Sequence, residues 1–232
     1  VFFQGSNFYV ESDNSQDSDI LASTDFNFLD IEVFRNQEFL LKSNLIDDLG
    51  NPMFNQHINL TFNGKKYHLI TDADGLVQQN ITLPSNFKLG NYVAKWDYSG
   101  FEYYLPSNNQ QNIRVLASTN IVLFSDSEVI VGETFSFNGT LNDDMGNPLK
   151  ATLSFSFGGS LIETIESNSN GYFENTYLVP NESIAGPNTI VITYVPDEFY
   201  LSSTSSWVLQ VSHNIRIELP DYFSVTHSTE TI

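Results

Sequence analysis

The sequence has no cysteine, few basic residues and no apolar run of the roughly 18 residues that a membrane-spanning helix needs. The absence of cysteine excludes disulfides, thiolate metal sites and cysteine nucleophiles. With 9 basic against 28 acidic residues, the net charge of −19 excludes a surface that follows nucleic-acid phosphates, and it argues equally against anionic membrane surfaces. Only 6 alanines are present, which argues against a helical protein.

The residues that are abundant predict a folded β protein with a polar but weakly charged surface. Apolar residues make up 41% of the chain and include 19 Phe and 11 Tyr, so a core can be buried. The surface is filled instead by 25 Asn, 26 Ser and 16 Thr. A length of 232 residues allows one large domain or two small ones.

An internal duplication organises the chain. The hexapeptide DDLGNP at 47–52 recurs as DDMGNP at 143–148, a shift of 96 residues. We therefore predict one domain at 21–116 and a second at 117–212. The same shift relates Phe39 to Phe135, Gly75 to Gly171, Pro84 to Pro180, Gly90 to Gly186 and Tyr98 to Tyr194.

Apolar residues alternate with polar ones inside each copy, which is typical of strands with one buried face. Examples are Phe135 and Phe137 in the second copy and Ile58, Leu60 and Phe62 in the first. Turn residues separate these runs, and Asn-Gly or Asp-Gly pairs between alternating strands favour hairpins. Six to eight short strands per copy predict two immunoglobulin-like sandwiches, an all-β fold class. The turn signals are Asn63-Gly64, Asp74-Gly75, Gly158-Gly159 and Asn170-Gly171.

The two ends lie outside the copies. Residues 1–6 are typical of a protease-site remnant of an expression tag, or of a mature N-terminus left by a signal peptidase, and the rest of 1–20 is predicted to be an acidic linker. Residues 213–232 begin like the second copy, since Ile215 to Leu219 is similar to Ile121 to Leu123. We expect this tail to be the start of a third repeat or a lone strand.

Three segments of the second copy carry a family resemblance. They are VGETF at 131–135, GTLNDDMGNPL at 139–149 and SNGYF at 169–173. Together they resemble the bacterial-Ig-like repeats of prokaryotic, especially archaeal, surface proteins. The first copy follows the same frame but has Asn36-Gln37 in place of Gly132-Glu133, which leaves the geometry of that turn open.

The resemblance implies a non-enzymatic protein of the cell surface. Such repeats serve as stalks, spacers, adhesive modules or surface-layer components. We expect an extracellular structural module whose partners are neighbouring repeats, copies of itself, or other cell-surface proteins and glycans. The alternatives are an adhesin or carbohydrate-binding module, and a filament or surface-lattice subunit whose tail at 213–232 adds a strand to a neighbouring molecule.

The duplicated acidic turns are the candidates for a metal site, because Ca²⁺ takes six to eight oxygen ligands from several loops. The alternative is that these side chains hydrogen-bond to their own backbone and form turns. In the second copy Asn168 and Asn170 stand where Asp72 and Asp74 would be, which weakens a shared site. No other cofactor is predicted. The calcium candidates are Asp47, Asp48, Asp72, Asp74, Asp143 and Asp144, with Asp97 as a further carboxylate.

Four Asn-x-Ser/Thr sequons are present, at Asn59, Asn80, Asn138 and Asn181. In an exported archaeal protein they would be glycan acceptors on exposed strands or turns. A chain this rich in Asn and Thr also produces such triplets by composition alone.

Histidines and aromatics supply the remaining candidates. His57 and His68 flank the Asn63-Gly64 turn and could face each other, but two nitrogens make a poor zinc site. An aromatic cluster offers either a sugar-binding platform, with exposed Trp96 or Trp207 in support, or core packing. No Gly-x-Ser-x-Gly elbow, phosphate loop or other catalytic constellation occurs, so no enzyme is predicted. The cluster comprises Tyr98, Phe101, Tyr103 and Tyr104, echoed by Tyr194, Phe199 and Tyr200.

Overall fold

The computed structural model describes residues 20–215 and the backbone of residues 2–3 and 12–13. Every regular element in these residues is a β-strand, so none of them contains a helix that could cross a membrane. Strands β1 (Phe2–Phe3) and β2 (Ser12–Asp13) form a short antiparallel pair. The rest divides into two compact units that meet between Ala117 and Ser118.

The first unit is a sandwich of two sheets. The three-stranded sheet has the order β3-β5-β8, and the five-stranded sheet has the order β4-β10-β9-β6-β7. Strand β4 runs parallel to β10, and the other neighbours are antiparallel. The strands are β3 (Thr24–Asn27), β4 (Ile31–Phe34), β5 (Glu38–Asp47), β6 (His57–Phe62), β7 (Lys65–Ile70), β8 (Leu76–Thr82), β9 (Gly90–Tyr98) and β10 (Ser107–Leu116).

The second unit repeats this order strand for strand. Its sheets are β11-β13-β16 and β12-β18-β17-β14-β15, again with one parallel pair, β12 with β18. The prediction of two tandem all-β sandwiches is confirmed. The strands are β11 (Thr119–Ser125), β12 (Glu128–Ile130), β13 (Thr134–Asp143), β14 (Thr152–Phe157), β15 (Ser160–Glu166), β16 (Tyr172–Leu178), β17 (Gly186–Tyr194) and β18 (Ser203–Ser212).

The alternation seen in the sequence defines each core. On β6, Ile58, Leu60 and Phe62 are buried between the sheets, while the residues between them point outward. On β13, Phe135 and Phe137 occupy the equivalent layer of the second unit. Because side chains alternate between the faces of a strand, one face of each strand supplies the core and the other meets solvent.

One of the three predicted hairpins is a hairpin, and the turn signal Gly158-Gly159 forms a second one. Asn63-Gly64 joins β6 to β7, and Gly158-Gly159 joins β14 to β15, with both residues of each pair at positive φ. The other two predictions are wrong, since Asp74-Gly75 and Asn170-Gly171 connect strands of different sheets.

Glycine is required in these two connections for a different reason. A Cβ on Gly75 would lie 2.6 Å from Leu45 O, and one on Gly171 would lie 2.4 Å from Leu141 O. Both glycines also have positive φ. The turn signal was therefore real, but it marked a close contact between a loop and a strand and not a hairpin.

The departure of the first copy at Asn36-Gln37 leaves the turn unchanged. Asn36 has φ 61°, close to the φ 81° of Gly132, and asparagine tolerates this left-handed region. Gln37 O accepts a hydrogen bond from Leu83 N, just as Glu133 O accepts one from Val179 N. The same turn is thus built from different residues.

Several predictions for the ends of the chain lie outside the described residues. These are the tag remnant and linker, apart from the short β1–β2 pair, and most of the third-repeat tail. Residues 213–215 are described and have no regular structure. The interpretation of 216–232 as a strand stays a prediction.

Candidate functional site

The acidic loop of the first copy is held by its own aspartate. Asp47 Oδ1 accepts hydrogen bonds from the backbone N–H groups of Leu49 (3.0 Å) and Asn51 (2.8 Å), and Oδ2 accepts one from Asn51 Nδ2 (3.0 Å). The bonds from the Asn51 side chain and backbone lower the pKa of Asp47, because they stabilise the carboxylate. The carboxylate closes the turn that leads into Pro52.

The second copy reproduces this arrangement. Asp143 Oδ1 accepts from Met145 N at 2.9 Å and from Asn147 N at 2.8 Å, and its Oδ2 accepts from Asn147 Nδ2 at 3.0 Å. Asp72 and Asn168 form the same kind of turn at the neighbouring loop, accepting from the N–H groups two and four residues on. An amide oxygen replaces a carboxylate there without changing the turn, so the turn needs an acceptor and not a charge.

These hydrogen bonds give the carboxylates of Asp47, Asp72 and Asp143 a role in their turns that needs no cation. Within residues 20–215, no group of three or more His, Cys, Asp or Glu side chains is placed to hold a metal ion. A calcium site at the six aspartates remains a prediction, and its test is given in the Discussion. The candidates are Asp47, Asp48, Asp72, Asp74, Asp143 and Asp144.

The four sequon asparagines differ in accessibility. Asn80 on β8, Asn138 on β13 and Asn181 in the loop after β16 are exposed. Asn59 on β6 is half-buried, and its Oδ1 lies within hydrogen-bond distance of His68 Nδ1. Its neighbours therefore restrict this asparagine more than the other three.

The two hairpin histidines are not directly opposite each other. His68 pairs with Asn59 across β6 and β7, and His57 pairs with Ile70. The histidines are diagonal neighbours on the outer face of the five-stranded sheet. The cross-strand partner of His68 is thus an asparagine.

The aromatic cluster separates into buried and exposed members. Tyr98 is buried and Tyr104 packs against the core, whereas Phe101 and Tyr103 are each 60% exposed. The two tryptophans are not an exposed platform, because Trp96 is buried and Trp207 packs against the core of the second unit. The core interpretation therefore fits the buried members, and the sugar-binding interpretation of the exposed members stays a prediction.

The exposed Phe101 borders a recess of about 540 Å³ that the sequence did not predict. It lies in the first unit, between the loop that joins β5 to β6 and the loop that joins β9 to β10. Phe54, which is 64% exposed, lines it together with Phe101. Tyr98 also lines it, and its hydroxyl donates a hydrogen bond to Gln56 Oε1 at 2.7 Å, which links the two sides.

One signal in the sequence could have revealed this recess. The backbone of Met53 and of Leu149 makes the same hydrogen bond, to Leu45 O and Leu141 O respectively, so these residues are equivalent. Between this point and the next strand the first copy has one residue more than the second. The extra residue falls at Phe54-Asn55, where the second copy has only Lys150.

Comparisons with known proteins identify the fold. No protein family matches the chain, and no curated protein matches it. Among solved structures, an ICAM-5 D1–D4 ectodomain fragment is similar with a TM-score of 0.51 and 9% identity, over 82% of this chain and 53% of that one. At this identity the likeness shows the fold alone, and it confirms immunoglobulin-like domains in tandem.

Two further structures are less similar. A tetra-tandem repeat from the extending region of a large adhesion protein has a TM-score of 0.39 and 13% identity, over 82% of this chain and 49% of that one. Invasin, a bacterial integrin-binding protein, has a TM-score of 0.34 and 14% identity, over 84% of this chain and 40% of that one. The chain spans about half the length of these structures or less. What the comparisons establish is a chain of tandem immunoglobulin-like β-sandwiches.

Proposed function

We propose that the chain is a non-enzymatic, extracellular structural module, a spacer or surface-assembly unit built from bacterial-Ig-like repeats at 21–116 and 117–212. The observation that supports this proposal is that the residues shared by the two copies have structural roles. Shared residues hold the frame, as Asp47 and Asp143 do in their turns and Gly75 and Gly171 do at their loop contacts. Each copy has its own core, so such units can be added in series.

The surface composition supports the same role. A charge of −19 favours the solubility of a sheet-rich protein and discourages pairing between exposed strand edges. Lys65 and Lys66 begin the outermost strand of the first five-stranded sheet, where a charged side chain hinders the addition of another strand.

Location is the first test of this proposal. Antibodies raised against residues 20–215 are applied to intact and to permeabilised cells of the native host. A surface module gives equal labelling in both. Labelling that requires permeabilisation would contradict the extracellular assignment.

Glycan attachment is a second, separable part of the proposal. We propose that Asn80, Asn138 and Asn181 accept glycans, since each is exposed. Intact-mass measurement of protein from the native host is expected to show added mass that disappears in parts when these residues are changed to Gln. Asn59→Gln is the matched comparison, and we expect it to change the mass least.

A further inference from the structure

The recess between Phe54 and Phe101 has the composition of a ligand site. Its lining includes two exposed phenylalanine rings, together with the amide groups of Asn55 and Gln56 and the imidazole group of His57. No lysine, arginine, aspartate or glutamate lines it, although the protein carries a net charge of −19. Its volume of about 540 Å³ is within the range of small-molecule sites.

A residue with positive φ follows the exposed phenylalanine on each side of the recess. Asn55 has φ 57° and follows Phe54, and Glu102 has φ 53° and follows Phe101. Asparagine tolerates a positive φ, but for Glu102 this conformation is costly, and strained residues concentrate at binding sites. The phenylalanine before each of these residues is exposed, so burial of its ring does not explain the positive φ of the residue that follows.

Hydrogen bonds fix the loops on both sides of the recess. Asn55 N donates to Thr71 O at 3.0 Å, and Gln56 N donates to Thr71 Oγ1 at 2.8 Å. On the other side, the backbones of Phe101 and Tyr104 exchange two hydrogen bonds, of 3.1 and 2.9 Å. Because the loops are fixed, binding loses little conformational freedom.

The second copy lacks these features. Lys150 stands in place of Phe54-Asn55, and Pro196 stands in place of Gly100. Tyr194, the equivalent of Tyr98, accepts a hydrogen bond from Asp197 N and has no equivalent of Gln56 as partner. The recess is therefore an addition to one copy and not a requirement of the fold.

We propose that this recess binds a neutral carbohydrate. The C–H face of a sugar ring stacks on Phe54 or Phe101, and the amide groups of Asn55 and Gln56 pair with its hydroxyls. Amides both donate and accept hydrogen bonds, which matches hydroxyl groups, and the uncharged lining leaves a charged ligand without a partner. The proposal adds ligand recognition to the structural role and does not depend on it.

The test is a titration of the ¹⁵N-labelled full chain with neutral disaccharides, followed by NMR. The probes are lactose, cellobiose, maltose and N,N′-diacetylchitobiose at millimolar concentrations. We expect at least one to shift the amide signals of Gln56 and Phe101, and Phe54→Ala or Phe101→Ala to weaken that binding by about tenfold. Phe124→Ala removes a similarly exposed ring from the second unit and is the matched control.

A positioning variant separates binding from folding. Glu102→Gly relieves the left-handed strain, so it is expected to raise the melting temperature while weakening sugar binding several-fold, because the loop becomes less fixed. The proposal is overturned if no probe shifts these signals, if Phe54→Ala and Phe101→Ala bind as the original chain does, or if Phe124→Ala weakens binding equally.

Discussion

The two copies place tryptophan on different strands of the same five-stranded sheet. In the first, Trp96 on β9 is buried, and its Nε1 donates to Gln111 Oε1 on β10 at 3.2 Å. Gln111 Nε2 in turn donates to Leu29 O at 2.6 Å. In the second copy Ile192 and Trp207 occupy the places of Trp96 and Gln111. One core layer is thus completed by a polar network in one copy and by apolar packing in the other.

A second exchange involves the three-stranded sheet. Ser43 lies opposite Val77 in the first unit, and Gly139 lies opposite Phe173 in the second. The first unit pairs the larger Ser43 with the smaller Val77, and the second pairs the smaller Gly139 with the larger Phe173. The differences in side-chain volume therefore oppose each other, so that the space across the sheet stays filled. At these core positions the copies therefore differ by coupled substitutions of neighbouring residues and not by independent ones.

The surfaces differ more than the cores. Residues 21–116 hold 10 acidic and 7 basic residues, a net charge of −3, whereas 117–212 hold 11 and 1, a net charge of −10. Asn59 on the outer face of β6 pairs with Asp97, while Ser154 in the same place on β14 pairs with Thr193. Outward positions have no packing partner to satisfy, so they are free to diverge after duplication.

The largest effect is expected from making the second copy resemble the first at Gly139. A Cβ there would lie 2.2 Å from Val122 O and 2.5 Å from Phe173 Cζ. Gly139→Ser should destabilise the second unit by about 3 kcal/mol, because a packed interior resists added atoms. The urea midpoint is followed by Trp207 fluorescence in a Trp96→Phe background.

Replacing Phe173, the cross-strand partner of Gly139, tests the cause of that loss of stability. Phe173→Val together with Gly139→Ser should recover part of the stability, since only the contact with Val122 O remains. An unchanged midpoint in Gly139→Ser alone would show that the second unit accommodates the side chain as the first accommodates Ser43.

The next effect comes from removing the polar network of the first copy. Gln111→Met leaves Trp96 Nε1 and Leu29 O without their partner, which should cost about 2 kcal/mol. Trp96 fluorescence in a Trp207→Phe background follows unfolding of the first unit. Gln110→Met, at an exposed neighbouring position, is the control, and equal losses in both variants would contradict the role of the network.

Relief of strain in the first copy should act in the opposite direction. Glu102→Gly is expected to stabilise the first unit by about 1 kcal/mol, because glycine adopts a φ of 53° without steric cost. Gly100→Ala in the same loop should destabilise it, since its Cβ would lie 2.7 Å from Tyr104 O. If Glu102→Gly lowers the urea midpoint, the strain assigned to this residue is absent.

A stability measurement at falling pH should reveal the contribution of the Asp47 carboxylate to the stability of the fold. Its lowered folded-state pKa means that the carboxylate stabilises the fold above its unfolded pKa of about 4, and that this contribution is lost as the pH falls through the folded pKa. Asp47→Asn keeps an acceptor oxygen without titrating, so the melting temperature should fall less between about pH 5 and pH 2. Asp48→Asn removes the same charge from the same loop, and an equal change in that variant would argue against a specific effect.

The smallest effect is expected from calcium. If the aspartates act through turns, EDTA followed by excess CaCl₂ should leave the melting temperature of the full chain unchanged. A rise on adding CaCl₂ that is lost in Asp143→Asn would instead establish the predicted calcium site.

Local patterns in the sequence were sufficient for the strands and their buried faces, because alternation with period two is a property of each strand alone. The duplication then predicted the same set of six to eight strands for both units, and each unit has eight. Asn63-Gly64 was correctly predicted as a hairpin and Gly158-Gly159 as a turn, since a tight turn depends on the two residues that make it.

Contacts between distant parts of the chain decided the rest. Whether Asp74-Gly75 closes a hairpin depends on which sheet β8 joins, and Gly75 is required by Leu45, 30 residues away in the chain. The burial of Trp96 and the recess between Phe54 and Phe101 likewise depend on elements that meet only in the folded sandwich. The sequence by itself determined the repeated all-β frame, because strand periodicity is local. Only the tertiary structure decided which strands share a sheet and which residues line the recess, because both depend on non-local neighbours.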